Sequence, residues 1–250
     1  MKTKDNTILI TGGASGIGYA LTSAFIEKGN EVIVCGRRTD KLLEVKHRYP
    51  NIHFRPCDLT KPEERKSLFE WVTSSFKNIN ILVNNAGIQR PIDFKKGDTE
   101  FSKAENEIIT NLTAPIQLSL LFTPYFMKQK ESAIINISSG LGFIPIAIMP
   151  VYCATKAALH SFSISLRHQL RTTSVKVFEI IPPTVDTELD QGERDKRGQT
   201  DRGIKPEIVA TETMKAIEKD DYEFVVGAAE NLRSGSRKNF EEIFKNMNRY

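Results

Sequence analysis

The chain has 250 residues, 40% of them apolar, enough to bury a sizeable core, and it suits one large α/β domain over residues 1–250 better than two small ones. Lysine and arginine (35) nearly balance aspartate and glutamate (31), and no stripe of basic and aromatic residues appears, so a nucleic-acid partner is not expected. No eighteen apolar residues run together, and the N-terminus runs straight into an apolar strand too short for a secretory core, so we expect no membrane insertion and a cytoplasmic protein.

Apolar runs rich in β-branched residues predict strands at 7–11, 31–35, 52–56, 81–83, 133–137, 175–180 and 222–226. Between them, helical spacing of apolar residues predicts helices at 19–28, 41–48, 63–76, 106–127, 154–170 and 207–219. Strands that alternate with crossover helices build a parallel sheet covered on both faces. The expected fold is therefore α/β, a doubly wound, Rossmann-type parallel sheet of about seven strands, which binds ligand at the carboxyl ends of its strands. No linker or repeat divides it. The cysteines, Cys35, Cys57 and Cys153, are odd in number and lack metal-like pairing, as free thiols in a reducing compartment would. His47, His53, His160 and His168 form no ligand cluster in the sequence; they read as surface or packing residues, and no metal is expected.

The first strand ends in Thr11-Gly12-Gly13-Ala14-Ser15-Gly16-Ile17-Gly18, which opens the first helix. Glycines let backbone approach a dinucleotide pyrophosphate closely, and a helix N-terminus offers unpaired N–H groups and a positive dipole end. An ordinary glycine-rich turn is the bland competitor, but the position after strand one favours phosphate binding. Further on, Tyr152 and Lys156 stand four residues apart on one helix face, so the ammonium can reach the phenol edge and favour its ionised form. A phenol that titrates near ~10 then becomes a usable acid/base at neutral pH.

Gly12-x-x-x-Gly16-x-Gly18, Asn84-Asn85-Ala86-Gly87 after the fourth strand and Asp58-Leu59 after the third together resemble the short-chain dehydrogenase/reductase family, over a span from Thr11 to about Thr187. The resemblance implies a nicotinamide cofactor held by Gly12, Ser15, Gly16, Ile17 and Gly18, by Asp58 and Leu59 near adenine, and by Asn85, Ala86 and Gly87. About 20 residues past the glycine turn, NAD sites carry an acid for the ribose hydroxyls. Gly36 occupies that place, and Arg37 and Arg38 follow it with guanidinium donors suited to a 2′-phosphate. NADP(H) is thus favoured, with NAD(H) the alternative, and the competing reading is a solvated arginine pair.

The family's catalytic tetrad maps onto Asn111, Ser139, Tyr152 and Lys156. Ser139 is preferred to Ser138 because it lies 13 residues before Tyr152, the family's usual separation. The resemblance implies that Ser139 binds the substrate oxygen and Tyr152 exchanges its proton. Lys156 would support the tyrosinate and hold the nicotinamide ribose, and Asn111 would bind a water that links Lys156 to solvent. Pro182, Val185 and Thr187 sit where relatives contact the carboxamide and phosphates. Pro183 replaces a usual glycine in Pro182-Pro183-Thr184-Val185-Asp186-Thr187, which opens the option of a cis bond and altered backbone approach. That loop also resembles the subgroup named for the oxidoreductase of the lipoteichoic acid D-alanylation operon.

Flanking segments 89–94 and 141–149, with Leu141, Phe143, Ile144, Ile146, Ile148 and Met149, suggest a small-molecule carbonyl or alcohol substrate with an apolar body, although core packing would give the same composition. The charged segment 186–205 reads as a lid over ligand. The family commonly pairs the helices that carry Asn111 and Tyr152, which implies a homodimer or homotetramer. Two other classes compete: an NADP(H)-binding sensor or scaffold without turnover, and a sugar-nucleotide epimerase or dehydratase of the longer related family. The chain is short for the second, and its glycine spacing differs.

Overall fold

The computed structural model describes residues 1–190, 192–196, 198 and 200–249. Seven strands, β1 (Thr7–Thr11), β2 (Glu31–Gly36), β3 (His53–Pro56), β4 (Ile79–Asn84), β5 (Ser132–Ile137), β6 (Val175–Ile181) and β7 (Glu223–Val225), pair in parallel. Their order is β3-β2-β1-β4-β5-β6-β7. This is the expected doubly wound sheet. The chain steps outward from β1 to β3 and then returns to the far side of β1, which makes the β1/β4 boundary the switch point where a crevice opens.

Side-chain alternation assigns the faces. Ile8, Ile10, Ile81, Val83, Ala133 and Ile135 bury against α1 (Gly16–Glu27), α2 (Thr39–Arg48) and α8 (Pro206–Lys219). Leu9, Ile33, Leu82, Ile134 and Val177 bury oppositely, against α3 (Pro62–Ser75), α5 (Ala114–Phe126) and α6 (Pro150–Gln169). Each fully buried aliphatic side chain stabilises the fold by about 1.5–3 kcal/mol. Pro62, Pro150 and Pro206 open α3, α6 and α8 in the first turn, where the missing N–H has no helical partner to lose.

The helix expected over 106–127 is interrupted. It comprises α4 (Phe101–Ile108), a π-helical turn at Ile109–Thr113 and α5, with the Ala114 N–H bonded to the Ile109 carbonyl. Pro115 supplies the physical reason: it has no N–H to return to the carbonyl four residues earlier, which belongs to Asn111. All peptide bonds of the described residues are trans, those of Pro182 and Pro183 included.

Beyond β7, two helices went unforeseen in the sequence, α9 (Ala229–Lys238) and α10 (Phe240–Met247). They fold back over the turn after β5. Asn248 accepts a hydrogen bond from the Ala147 N–H and donates to Pro145 O at 3.3 Å. Segment 186–205 contains a 3-10 turn at Glu188–Asp190 and the one-turn helix α7 (Glu193–Lys196), with Val185 bridged to Ile204. No helix among the described residues is long and apolar enough to cross a membrane.

Candidate active site

A cavity of about 1120 Å³ opens over the carboxyl ends of the strands, at the switch point. Gly12 and Gly16 take φ of +65° and +52°, a left-handed region that a side chain would strain. A Cβ on Gly18 would fall inside van der Waals contact with Gly12 O and Asn85 Nδ2. The turn is braced from β4: Asn85 Nδ2 donates to Thr11 O (2.9 Å) and Gly12 O (3.3 Å), while Thr11 Oγ1 accepts from the N–H groups of Asn85 and Ala86, both at 3.0 Å. Asn85 thus shapes the glycine turn through its side chain.

Gly12, Ser15, Gly16, Ile17, Arg37, Arg38, Asp58, Leu59, Asn85, Ala86, Gly87, Pro182, Val185 and Thr187 all line the cavity. Gly18 lies beneath it, within α1 and buried. The Arg38 guanidinium donates to Ser15 Oγ (2.8 Å) and pairs with Glu188 Oε2 (2.7 Å), so the loop after β6 reaches across the mouth. A dinucleotide fits these groups: a flat backbone cradle at a helix N-terminus for the pyrophosphate, and exposed arginines beyond β2 for added negative charge.

Ser139, Tyr152 and Lys156 line the same cavity, whereas Asn111 lies behind it, almost fully buried. The Asn111 amide clamps the chain after β4, accepting from Ile88 N at 2.9 Å and donating to Ile88 O at 2.8 Å. Lys156 is 5% exposed and donates to Ile137 O at 2.8 Å. Its Nζ stands 5.7 Å from the centre of the Tyr152 ring. Desolvation pulls the Lys156 ammonium down to about 8, and the Glu179 carboxylate opposes that pull. Ser139 Oγ accepts from Leu141 N at 3.1 Å. Ser138 also lines the cavity, and among the described residues its buried hydroxyl has no hydrogen-bond partner.

The substrate side differs from the sequence expectation. Of the apolar residues of 141–149, Leu141 lines the cavity, whereas Ile144 and Met149 are core, and the Phe143 ring packs edge-on against His160. Gln89 lines it too, but Phe94 faces outward. The rest of the wall comes from Leu189, Ala228, Asn231, Leu232 and Met247, largely on the two C-terminal helices. Leu232, Gly235, Ile243 and Met247 carried a helical pattern that could have disclosed them. His160 is also more than a packing residue: its Nδ1 lies 2.8 Å from the buried Glu179 carboxylate, and ligand atoms of His160, Glu179 and Glu223 lie within 4.8 Å of one another.

Comparison with known proteins agrees with this geometry. The family model described as short chain dehydrogenase matches residues 6–198. The chain belongs to the short-chain dehydrogenase/reductase family and is an oxidoreductase enzyme. Within the family it falls in the group of the Bacillus subtilis (strain 168) protein named uncharacterized oxidoreductase DltE, 50% identical over 248 residues, 99% of this chain and 98% of that one. An uncharacterized oxidoreductase of Staphylococcus epidermidis is 30% identical over 86% of this chain and 90% of its own. Among solved structures, the closed form of serine dehydrogenase complexed with NADP+ superposes with a TM-score of 0.78 at 29% identity, covering 88% of this chain and 94% of that one. A Burkholderia phymatum family member in complex with NAD shares the fold alone, with a TM-score of 0.85 at 19% identity over 97% of this chain and 95% of its own.

Proposed function

We propose that the protein is an NADP(H)-dependent oxidoreductase that interconverts a carbonyl and an alcohol on a small molecule with an apolar body. The observation that carries the reading is one cavity lined at once by the glycine turn, by Arg37 and Arg38, and by Ser139, Tyr152 and Lys156. Bound over this surface, the nicotinamide would supply or accept the hydride. Gly12, Ser15, Gly16 and Ile17 would hold the pyrophosphate, and Arg37 and Arg38 a 2′-phosphate. The solved neighbours include both NADP and NAD complexes, so the preference for NADP(H) rests on these arginines.

In the reductive direction, Ser139 would donate a hydrogen bond to the substrate oxygen while Tyr152 Oη passes it a proton. The negative charge left on Tyr152 would be stabilised by the Lys156 ammonium nearby. Proton return would run from Lys156 through a water held at the Asn111 carbonyl, for which Pro115 supplies no N–H. Leu141, Leu189, Leu232 and Met247 would receive the apolar body, with segment 186–205 as the lid. Ile108 on α4, Leu120 on α5 and Met127 just after it are exposed and support association into a homo-oligomer. A sensor without turnover is not favoured, since Ser139, Tyr152 and Lys156 line one cavity with the glycine turn and the chain is an oxidoreductase of this family.

The test is fluorescence titration with NADPH and NADH, followed by a panel of aldehydes, ketones and quinones read at the nicotinamide absorbance. Preferred NADPH binding with oxidation by an apolar carbonyl supports the reading. No binding of either nucleotide would overturn it.

A further inference from the structure

Tyr152, Lys156, His160 and Arg167 follow one another along the stripe of α6 that lies on the sheet. Beneath them, β6 and β7 place Glu179 and Glu223 side by side in register, and Glu179 also pairs with Asn136 of β5. Asn136 immediately precedes Ile137, whose carbonyl receives the Lys156 ammonium. Acid and base therefore alternate from the cavity outward.

The partners divide unevenly. Glu223 is met by Arg233 at 2.9 Å and Arg167 at 3.8 Å, so its charge is matched by two guanidinium groups, and a metal ion there would face both. Glu179 is paired with no arginine among the described residues. Its carboxylate is fully buried, one oxygen is held by His160 at 2.8 Å, and the other has no hydrogen-bond partner among the described residues. A buried carboxylate without a full complement of bonds is costly, and is retained where its charge serves a neighbour. Lys156 is the next charged group along: it stands one turn before His160 on α6, and its ammonium rests on Ile137 O, directly after the Asn136 that pairs with Glu179.

We propose that Glu179, oriented by His160, is the counter-charge that keeps the buried Lys156 an ammonium. Glu179 is thus a positioning residue that acts through Lys156, not one that touches substrate, and it deepens the functional reading above, resting on Lys156 as a catalytic group. His160 belongs to the same device, because its ring shares the Glu179 carboxylate. The other charges facing the pair are Glu223 on β7, Arg167 on α6 and Arg233 on α9. Glu223 reinforces the negative side, and the arginines limit it.

The experiment follows the ionisation of Lys156 itself, so it needs no substrate. In protein labelled with 13C-lysine, the Lys156 Cε resonance, assigned by its loss in Lys156→Met, is titrated from pH 6 to 11. Glu179→Gln, close in shape and uncharged, should lower the Lys156 midpoint by roughly 1 pH unit or more. Glu179→Asp should restore most of it. His160→Gln keeps the carboxylate and removes its competitor, so the midpoint should stay or rise. An unchanged midpoint in folded Glu179→Gln, or a fall in His160→Gln, would overturn the proposal. Should Glu179→Gln not fold, Glu179→Met, uncharged and apolar, decides the matter: it should lower the midpoint likewise, and an unchanged midpoint would overturn the proposal. Failure of the functional reading would appear elsewhere, as full turnover in Tyr152→Phe with the lysine titration still behaving as stated.

Discussion

Replacing Glu107 by Gln should stabilise the protein at neutral and alkaline pH and do little in acid. Glu107 lies on α4 with no exposed surface; one carboxyl oxygen accepts from Arg90 N at 2.6 Å, and the other has no hydrogen-bond partner among the described residues. Burial raises its pKa from 4.5 to about 7, against the opposing pull of the Arg90 backbone bond and charge. Between those two values the folded protein keeps a proton that the unfolded chain has released, so stability falls as pH rises from about 4.5 to 7 and is level beyond. At 1.36 kcal/mol per unit, the interval sets an upper bound of about 3 kcal/mol on that loss. In a domain of this size, each kcal/mol moves the melting temperature by about 2–4 °C. Thermal melts of both proteins between pH 4 and 9 isolate the contribution, because all other titrating groups are shared. Glu107→Gln should gain up to roughly 6–12 °C over the parent above pH 7, and the two curves should converge near pH 4.5. Parallel curves across the range would refute the assignment of the penalty to this carboxyl.

Two further outcomes concern the cofactor cradle. Gly18→Ala should weaken NADPH roughly 10- to 100-fold while the far-ultraviolet dichroism stays that of the parent, because the new methyl pushes on Gly12 O and on the Asn85 brace; parental affinity would contradict the close approach. Glu188→Gln should tighten NADPH by at most about five-fold and leave NADH alone, since the exposed Arg38–Glu188 pair competes with a 2′-phosphate. An equal effect on both nucleotides would place that phosphate away from Arg38.

What the sequence made legible was the part governed by local periodicity and by short motifs. Each of the seven strands lies within two residues of its expected limits, because a strand buried on both faces must be written as a short, nearly continuous apolar run. The glycine turn and the Asn84–Gly87 stretch come together across the β1/β4 boundary, as two strand ends on one edge must. Less legible was anything that depends on distant packing. The π turn at Asn111 needed the single missing N–H of Pro115 to be read inside an otherwise helical pattern. Helices α9 and α10 are amphipathic, so the helical pattern that includes Leu232 and Met247 was readable, but that these residues and Asn231 wall the cavity follows only from the fold that lays both helices over the turn after β5. His160 and Glu179 are 19 residues apart, and nothing local marks them as partners.

The central claim is that Tyr152 carries the proton in a hydride-transfer reaction at this cavity, and Tyr152→Phe tests it most directly. NADPH should bind the variant as it binds the parent, because the glycine cradle and both arginines are untouched, while nicotinamide oxidation by a carbonyl that the parent reduces should fall by at least ~10²-fold. Turnover at the parental rate with bound NADPH would contradict the account.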